Sequence, residues 1–189
     1  MSQLLLLVAL LLSIQSGVLA WRSFKLVFDK YESETDKDFV EVKAEILNTT
    51  GETVINAHIN VIKDLDDLQL NVNLLMEETT DNFVSLLNRT VNFCKFLKTK
   101  SIDPVLRIIY DDLSRHGYFF KECPIKKGIY YIHDYRLDEE MLPSYIPEAR
   151  FIFSLQLWKK TALVHRGNLY GRVDKSKGFN NFKIFSMGK

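Results

Sequence analysis

Cys94 and Cys123 are the only two cysteines in the 189-residue chain, and a thiol can act as a nucleophile, a metal ligand or half of a bridge. The other groups that titrate near neutrality are His58, His116, His133 and His165. They are far apart in the sequence and have no metal-ligand spacing. Isolated histidines of this kind are generally surface groups or satisfied core groups. Asp64, Asp66 and Asp67 form an acidic group, but without the glycine and terminal glutamate of a calcium loop. Asp111 and Asp112 lie within a helical turn of Arg107 and Arg115, which suits surface ion pairs. The chain contains no G-x-S-x-G elbow, no G-x-x-x-x-G-K-[ST] phosphate loop and no H-E-x-x-H. These residues point away from enzymatic catalysis, and no metal or cofactor is expected.

The first residues decide what the cysteines do. Leu4 to Leu12 is a near-continuous apolar run, too short to span a bilayer comfortably. Val18 and Ala20 place small side chains where signal peptidase cuts, so residues 1–20 read as a secretory signal. The secretory pathway is oxidising, and one disulfide between Cys94 and Cys123 is expected. Asn48-Thr49-Thr50 and Asn88-Arg89-Thr90 both fit the N-glycosylation pattern, which belongs to the same compartment. Lysine plus arginine number 25 against 24 acids, so no electrostatic case exists for nucleic acid. The expected location is extracellular.

The elements that must position these residues read as strands. In DLQLNVNLLM, Leu68, Leu70, Val72, Leu74 and Met76 share one face and Gln69, Asn71 and Asn73 the other. FVEVKAEIL and TVINAHINVI alternate in the same way, and Asn48-Thr49-Thr50-Gly51 supplies a turn between them. GIYYIHDYRL, ARFIFSLQLW and ALVHRGNLYGRV give further strands, the last two a hairpin. SIDPVLRIIYDDLSRHG breaks the pattern. Val105, Ile108, Ile109 and Leu113 have helical spacing, Asp103 suits a cap, Pro104 the first turn and Gly117 the stop. The fold expected is a mainly β, immunoglobulin-like two-sheet antiparallel sandwich over residues 21–174, with one short helix near 103–116. Residues 175–189 form a basic tail in which Phe179, Phe182 and Phe185 recur every third position. Such a tail touches a membrane or a partner, or, more commonly, frays or packs on its own domain.

From Cys123-Pro124-Ile125 through Gly128-Ile129-Tyr130 and Leu142-Pro143-Ser144 to the closing strand pair, the chain resembles the lipid-recognition sandwiches called ML domains. The ganglioside activator and the Niemann–Pick type C cholesterol-binding protein are distant members of that group. Cys94-Lys95-Phe96-Leu97, then Asp103-Pro104 with its helix, then Cys123-Pro124, resembles more closely the insect family of secreted ML-like proteins of mostly unknown function, including the CheB chemosensory proteins. The likeness runs over about residues 24–173. Many ML proteins carry two or three disulfides, and this chain can form only one.

The resemblance implies a cavity between the sheets that holds a lipid or another apolar molecule. Leu70, Val72, Leu74, Phe151, Phe153 and Leu155 are the candidate lining residues. The same rows would equally fill an ordinary sandwich core. The alternative is an extracellular interaction module with a filled core that acts on a receptor or ion channel. The disulfide is expected as a staple at an open end of the sandwich, joining the strand that contains Cys94 to the start of the strand after Pro124. Gly128 is expected to bend the chain there.

Overall fold

Alternating sequence becomes alternating burial wherever one face of a strand meets another layer. The computed structural model describes residues 24–176 apart from 50–51, 100–102, 140–141 and 143–144. The signal reading of residues 1–20, and the tail beyond Ser176, lie outside the described residues. In chain order the elements are β1 (Lys25–Thr35), β2 (Val40–Thr49), β3 (Glu52–Val61), β4 (Leu68–Thr79), β5 (Asn82–Asn92), α1 (Phe93–Thr99), α2 (Pro104–Leu113), β6 (Gly117–Tyr118), β7 (Gly128–Tyr135), β8 (Arg150–Lys159) and β9 (Ala162–Asp174). A five-stranded sheet runs β1-β9-β8-β4-β5 and a four-stranded sheet β2-β3-β7-β6. Every pairing is antiparallel. The mainly β, two-sheet sandwich expected from the sequence is the fold.

The expected hairpins form. β2 pairs with β3 from Val40↔Val61 to Thr49↔Glu52, and β8 with β9 across Lys160-Thr161. Gly128 sits at φ +157°, a conformation that side-chain-bearing residues rarely adopt, at the entry to β7.

Apolar residues gather into two clusters, one at each end of the sandwich. At the disulfide end, Val61, Leu65, Leu68, Phe96, Ile125 and Val164 are almost wholly buried. At the other end, Phe24, Leu26, Phe28, Phe151 and Val173 form a smaller cluster. The Cys94–Cys123 disulfide is present, with its Cα atoms 5.4 Å apart. Beside it, Leu65 and Ile125 form a two-way backbone bridge.

Four local expectations change. Among the described residues there are two α-helices, because Asn92 accepts a hydrogen bond from the Lys95 N–H (2.9 Å) and starts α1. Cys94 is therefore on a helix and not on a strand. Phe93, Phe96 and Leu97, at helical spacing, bury that helix into the core. In α2 the Asp103 cap and Pro104 start are as expected, with Asp103 accepting from the Val105 and Leu106 N–H groups. Its buried face, however, is Leu106 and Tyr110, while Val105 and Ile108 are exposed. Leu106 and Tyr110 are four apart, so they share a face on which the aromatic hydroxyl can donate to the Phe120 carbonyl. Gly117 does not cap the helix in a left-handed turn; its backbone is extended at φ 168°. A Cβ there would come 2.1 Å from the Tyr131 carbonyl oxygen, so glycine is required for β6 to approach β7. Finally, the disulfide end is packed and not open: Phe93, Phe96, Tyr110 and Phe120 make edge and stacked ring contacts beneath the bridge.

Candidate binding site

The six residues proposed to line a cavity come from β4 and β8, which are neighbours in the five-stranded sheet. Val72 stands opposite Leu155, Leu74 opposite Phe153, and Met76 opposite Phe151, while Leu70 faces Leu157. Directly paired antiparallel residues share a sheet face, so all six point the same way. That face is the inner one. Leu70, Val72 and Phe151 are buried, whereas Leu74, Phe153 and Leu155 are only half-buried.

Phe153 and Leu155 pack against the disulfide-end cluster and Leu74 against the other, so the half-buried residues form the facing margins of the two clusters. On the opposing sheet the inner rows are Val42↔Ile59 toward the disulfide end and Ile46↔Ile55 toward the other. Between them stands Ala44↔Ala57, both half-buried. The facing strand β9 contributes Gly167 to its inner row, between His165 and Leu169. Packed sheets stand roughly 10 Å apart, and small side chains at this middle level fill less of that gap than the residues at either end.

A chain of polar side chains borders the same level on β1 and β9. His165 is 8% exposed. Its Nε2 is 3.0 Å from the Tyr31 hydroxyl and its Nδ1 3.2 Å from the Thr35 hydroxyl. Ser33, two residues along β1, lies on the same face as Tyr31. Burial pushes His165 down to about 4 and Tyr31 up to about 12, so both are neutral at physiological pH. Tyr31 pairs with Leu169, Ser33 with Gly167 and Thr35 with His165, which puts these side chains on the inner face. The Tyr31 ring lies over Gly167, where a Cβ would come 2.4 Å from the hydroxyl. Ser33 is exposed although it is on the inner face. The flank between the edge strands β1 and β2 is therefore one place where solvent reaches the inner surface; Arg89, exposed opposite Val72 on the other edge strand β5, marks a second.

None of this polar chain was singled out from the sequence beyond the presence of His165. A local signal exists: His165 has the same parity as Leu169 and Val173 in β9, which marks it as inward. Its partners are 134 and 130 residues away and carry no such mark.

Of the remaining histidines, His58 and His133 are exposed and His116 is half-buried. His58 and His133 pack edge to face, with ring centroids 4.9 Å apart, on the outer face of the four-stranded sheet. With Lys43, Ala44, Glu45 and Asn56 they line a shallow hollow of about 270 Å³. His116 lies against Tyr135. A second hollow of about 240 Å³ lies at the end away from the disulfide, between Lys25, Phe28, Thr53 and the segment Arg136–Glu139. Neither hollow is lined by any of the six cavity candidates. Among the described residues, no group of three or more His, Cys, Asp or Glu side chains is placed to hold a metal ion.

The acidic residues serve as struts. Asp64 accepts from the Lys127 N–H and from Lys126, which holds its carboxyl below the ordinary value. Asp66 is held low by Lys159. Asp111 pairs with Arg107 along α2. The glycosylation candidates are both exposed. Asn88 lies on the edge strand β5, where its side-chain oxygen accepts from Asn71. Asn48 donates to the Phe28 carbonyl and accepts from Thr53, linking β2 and β3 to β1.

The arrangement defines a class: a two-sheet antiparallel β-sandwich with a buried apolar cluster at each end, half-buried inner residues at their margins and one disulfide. Residues 70–153 match a family model described as a protein of unknown function, DUF1091. The match takes in β5, both helices, the disulfide, β6 and β7, with most of β4 and the start of β8. No curated protein matches the chain. Among the described residues, no helix is long and apolar enough to cross a membrane.

Proposed function

We propose that this chain is a secreted glycoprotein that binds a lipid or another apolar small molecule between its two sheets. The resemblance to chemosensory members of the insect ML-like family suggests that it carries or presents such a molecule in chemical sensing. The mechanism is sequestration and not catalysis. The observation that carries this reading is the middle layer. Ala44 and Ala57 oppose a row whose inward apolar residues, Leu74, Phe153 and Leu155, are left half-buried at the facing margins of the two end clusters. Each buried methylene contributes about 0.8 kcal/mol, so a chain of about ten carbons would reach micromolar affinity after the costs of association. Native mass spectrometry of protein secreted from insect cells tests the proposal, with organic extraction of what it carries. A stoichiometric apolar molecule is the expected result. A clean apo mass with no uptake from lipid mixtures would reject it.

A second reading is favoured by one surface. Tyr118, Ile129 and Tyr131 are exposed by 50%, 68% and 38% on β6 and β7, at the edge of the four-stranded sheet. In that reading the chain acts on a receptor or ion channel through this edge, and its interior is only core.

A further inference from the structure

We infer that the ligand is a long apolar chain ending in one neutral oxygen group, an alcohol or a carbonyl, which Tyr31 receives at the flank between β1 and β2. This rests on the proposed apolar site and adds the chemistry of its polar end.

A pure hydrocarbon site needs no polar wall, and polar side chains facing a sandwich interior are costly unless hydrogen-bonded. Here Thr35, His165 and Tyr31 form one connected chain at the flank, with Ser33 beside Tyr31 on the same face. Neutral His165 carries one ring proton and has two hydroxyl partners, so it donates to one and accepts from the other. The Tyr31 hydroxyl has one proton and two lone pairs. His165 uses one of these three valences. If Tyr31 donates to His165, its lone pairs remain for an alcohol O–H. If it accepts from His165, its own proton remains for a carbonyl oxygen. Either tautomer leaves the hydroxyl able to take one more neutral group.

Position and charge agree with this. The inner row at this level runs Ser33, Gly167, Leu155, Val72, Arg89 from β1 to β5. That is four strand spacings, about 19 Å, with an apolar middle. At the Tyr31 end the charged neighbours on β1 and β9 sit on the outer face in their own pairs, Lys30 with Glu32 and Arg166 with Glu34. Arg89, at the far end, is paired with Asp103. Lys30 and Arg166 already carry carboxylate partners, so nothing on these two strands favours a carboxylate or phosphate over a neutral group.

The test is displacement of a fluorescent apolar probe by tetradecane, tetradecanol and tetradecanoate, on the secreted full chain and on Tyr31→Phe. Tetradecanol should bind about tenfold more tightly than tetradecane to the natural chain, and Tyr31→Phe should remove that ratio while tetradecane binds as before. The ratio is taken within one variant, so a general loss of stability cancels. Ser33→Phe, at an exposed position next to Tyr31 on the inner face, should block the approach to the hydroxyl and reduce the ratio, and serves if Tyr31→Phe does not fold. Equal binding of alkane and alcohol overturns the inference and leaves the apolar site standing. Tightest binding of tetradecanoate, insensitive to Tyr31, overturns it in favour of a site at Arg89. If none displaces or binds, the apolar site fails and this inference with it.

Discussion

Ala44 stands directly opposite Ala57 on the inner face of the four-stranded sheet, with Val42↔Ile59 on one side and Ile46↔Ile55 on the other. The pair marks the level where large side chains stop. Ala57→Phe separates a space from a filled core. Forcing a ring into a close-packed core costs about 1–3 kcal/mol. Into an unfilled layer it should be tolerated, with a melting temperature unchanged or raised, and it should abolish uptake of apolar ligand. Thermal denaturation and extraction of the same preparation check both parts. A strongly destabilised variant would show that the layer is already full.

Acid should destabilise the protein in two waves. His165 is neutral when folded, with its pKa held down at about 4 by burial, and ordinary at about 6.5 when unfolded. Between these values the unfolded chain binds the extra proton, so stability is complete above pH 6.5 and falls as pH drops toward 4. The loss amounts to about 3 kcal/mol at most. Glu77 is held at about 2 by Arg150 and the Asp81 N–H, and its contribution is lost as pH falls from 4.5 toward 2. Urea titrations at a series of pH values should show both slopes. His165→Gln should remove the upper one and leave the lower.

The strands were legible because alternation is a local property. Leu68 to Met76 needs no partner to declare its two faces. The helix at Pro104 was legible from Asp103 and Pro104, but its buried face was not. Val105 and Ile108 are as apolar as Leu106, and only the position of the disulfide-end core chooses between them. α1 was hidden because VNFCKFL continues the apolar run of β5, and Asn92 reads equally as a strand residue or a cap. The candidate lining residues of β4 and β8 could be named from parity. The alanine layer and the Tyr31–His165 contact could not, because both depend on which residue stands opposite which across the sheets. That register is a long-range result.

Gly117 should not tolerate a side chain. An added Cβ would meet backbone, the Tyr131 carbonyl oxygen and carbon, and backbone cannot swing aside. Gly117→Ala should break the β6–β7 pairing at Gly117↔Ile132 and Tyr118↔Tyr131 and cost about 1–3 kcal/mol. Hydrogen exchange should show early loss of protection at Ile132 with the other sheet unaffected. Full protection would mean that β6 carries no weight.

The two sequons should respond differently to Asn→Gln. Asn88→Gln should remove one glycan mass and leave the melting temperature nearly unchanged, because its side chain makes an exposed contact with Asn71. Asn48→Gln should remove a glycan and also loosen β1, because Asn48 joins the Phe28 carbonyl to the Thr53 hydroxyl. A loss of about 1 kcal/mol is expected for such hydrogen bonds. Making both changes in protein from cells unable to glycosylate separates the sugar from the side chain. A glycan-free mass at Asn88 in the natural secreted chain would show that this sequon is unused.

The disulfide should matter more to stability than to the site. Cys94 and Cys123 are 29 residues apart, and closing a loop of that length stabilises by about 3–4 kcal/mol in the chain-entropy model. The packed rings of Phe93, Phe96, Tyr110 and Phe120 lie under the bridge, away from Ala44 and Ala57. The double Cys→Ser variant should therefore unfold at lower denaturant while its folded fraction keeps the ligand affinity of the natural chain. Equilibrium unfolding and ligand titration on the same sample measure the two separately. A bridge-free protein that stays as stable would mean that the aromatic plug alone closes this end. One that stays folded but loses the ligand would move the site to the disulfide end.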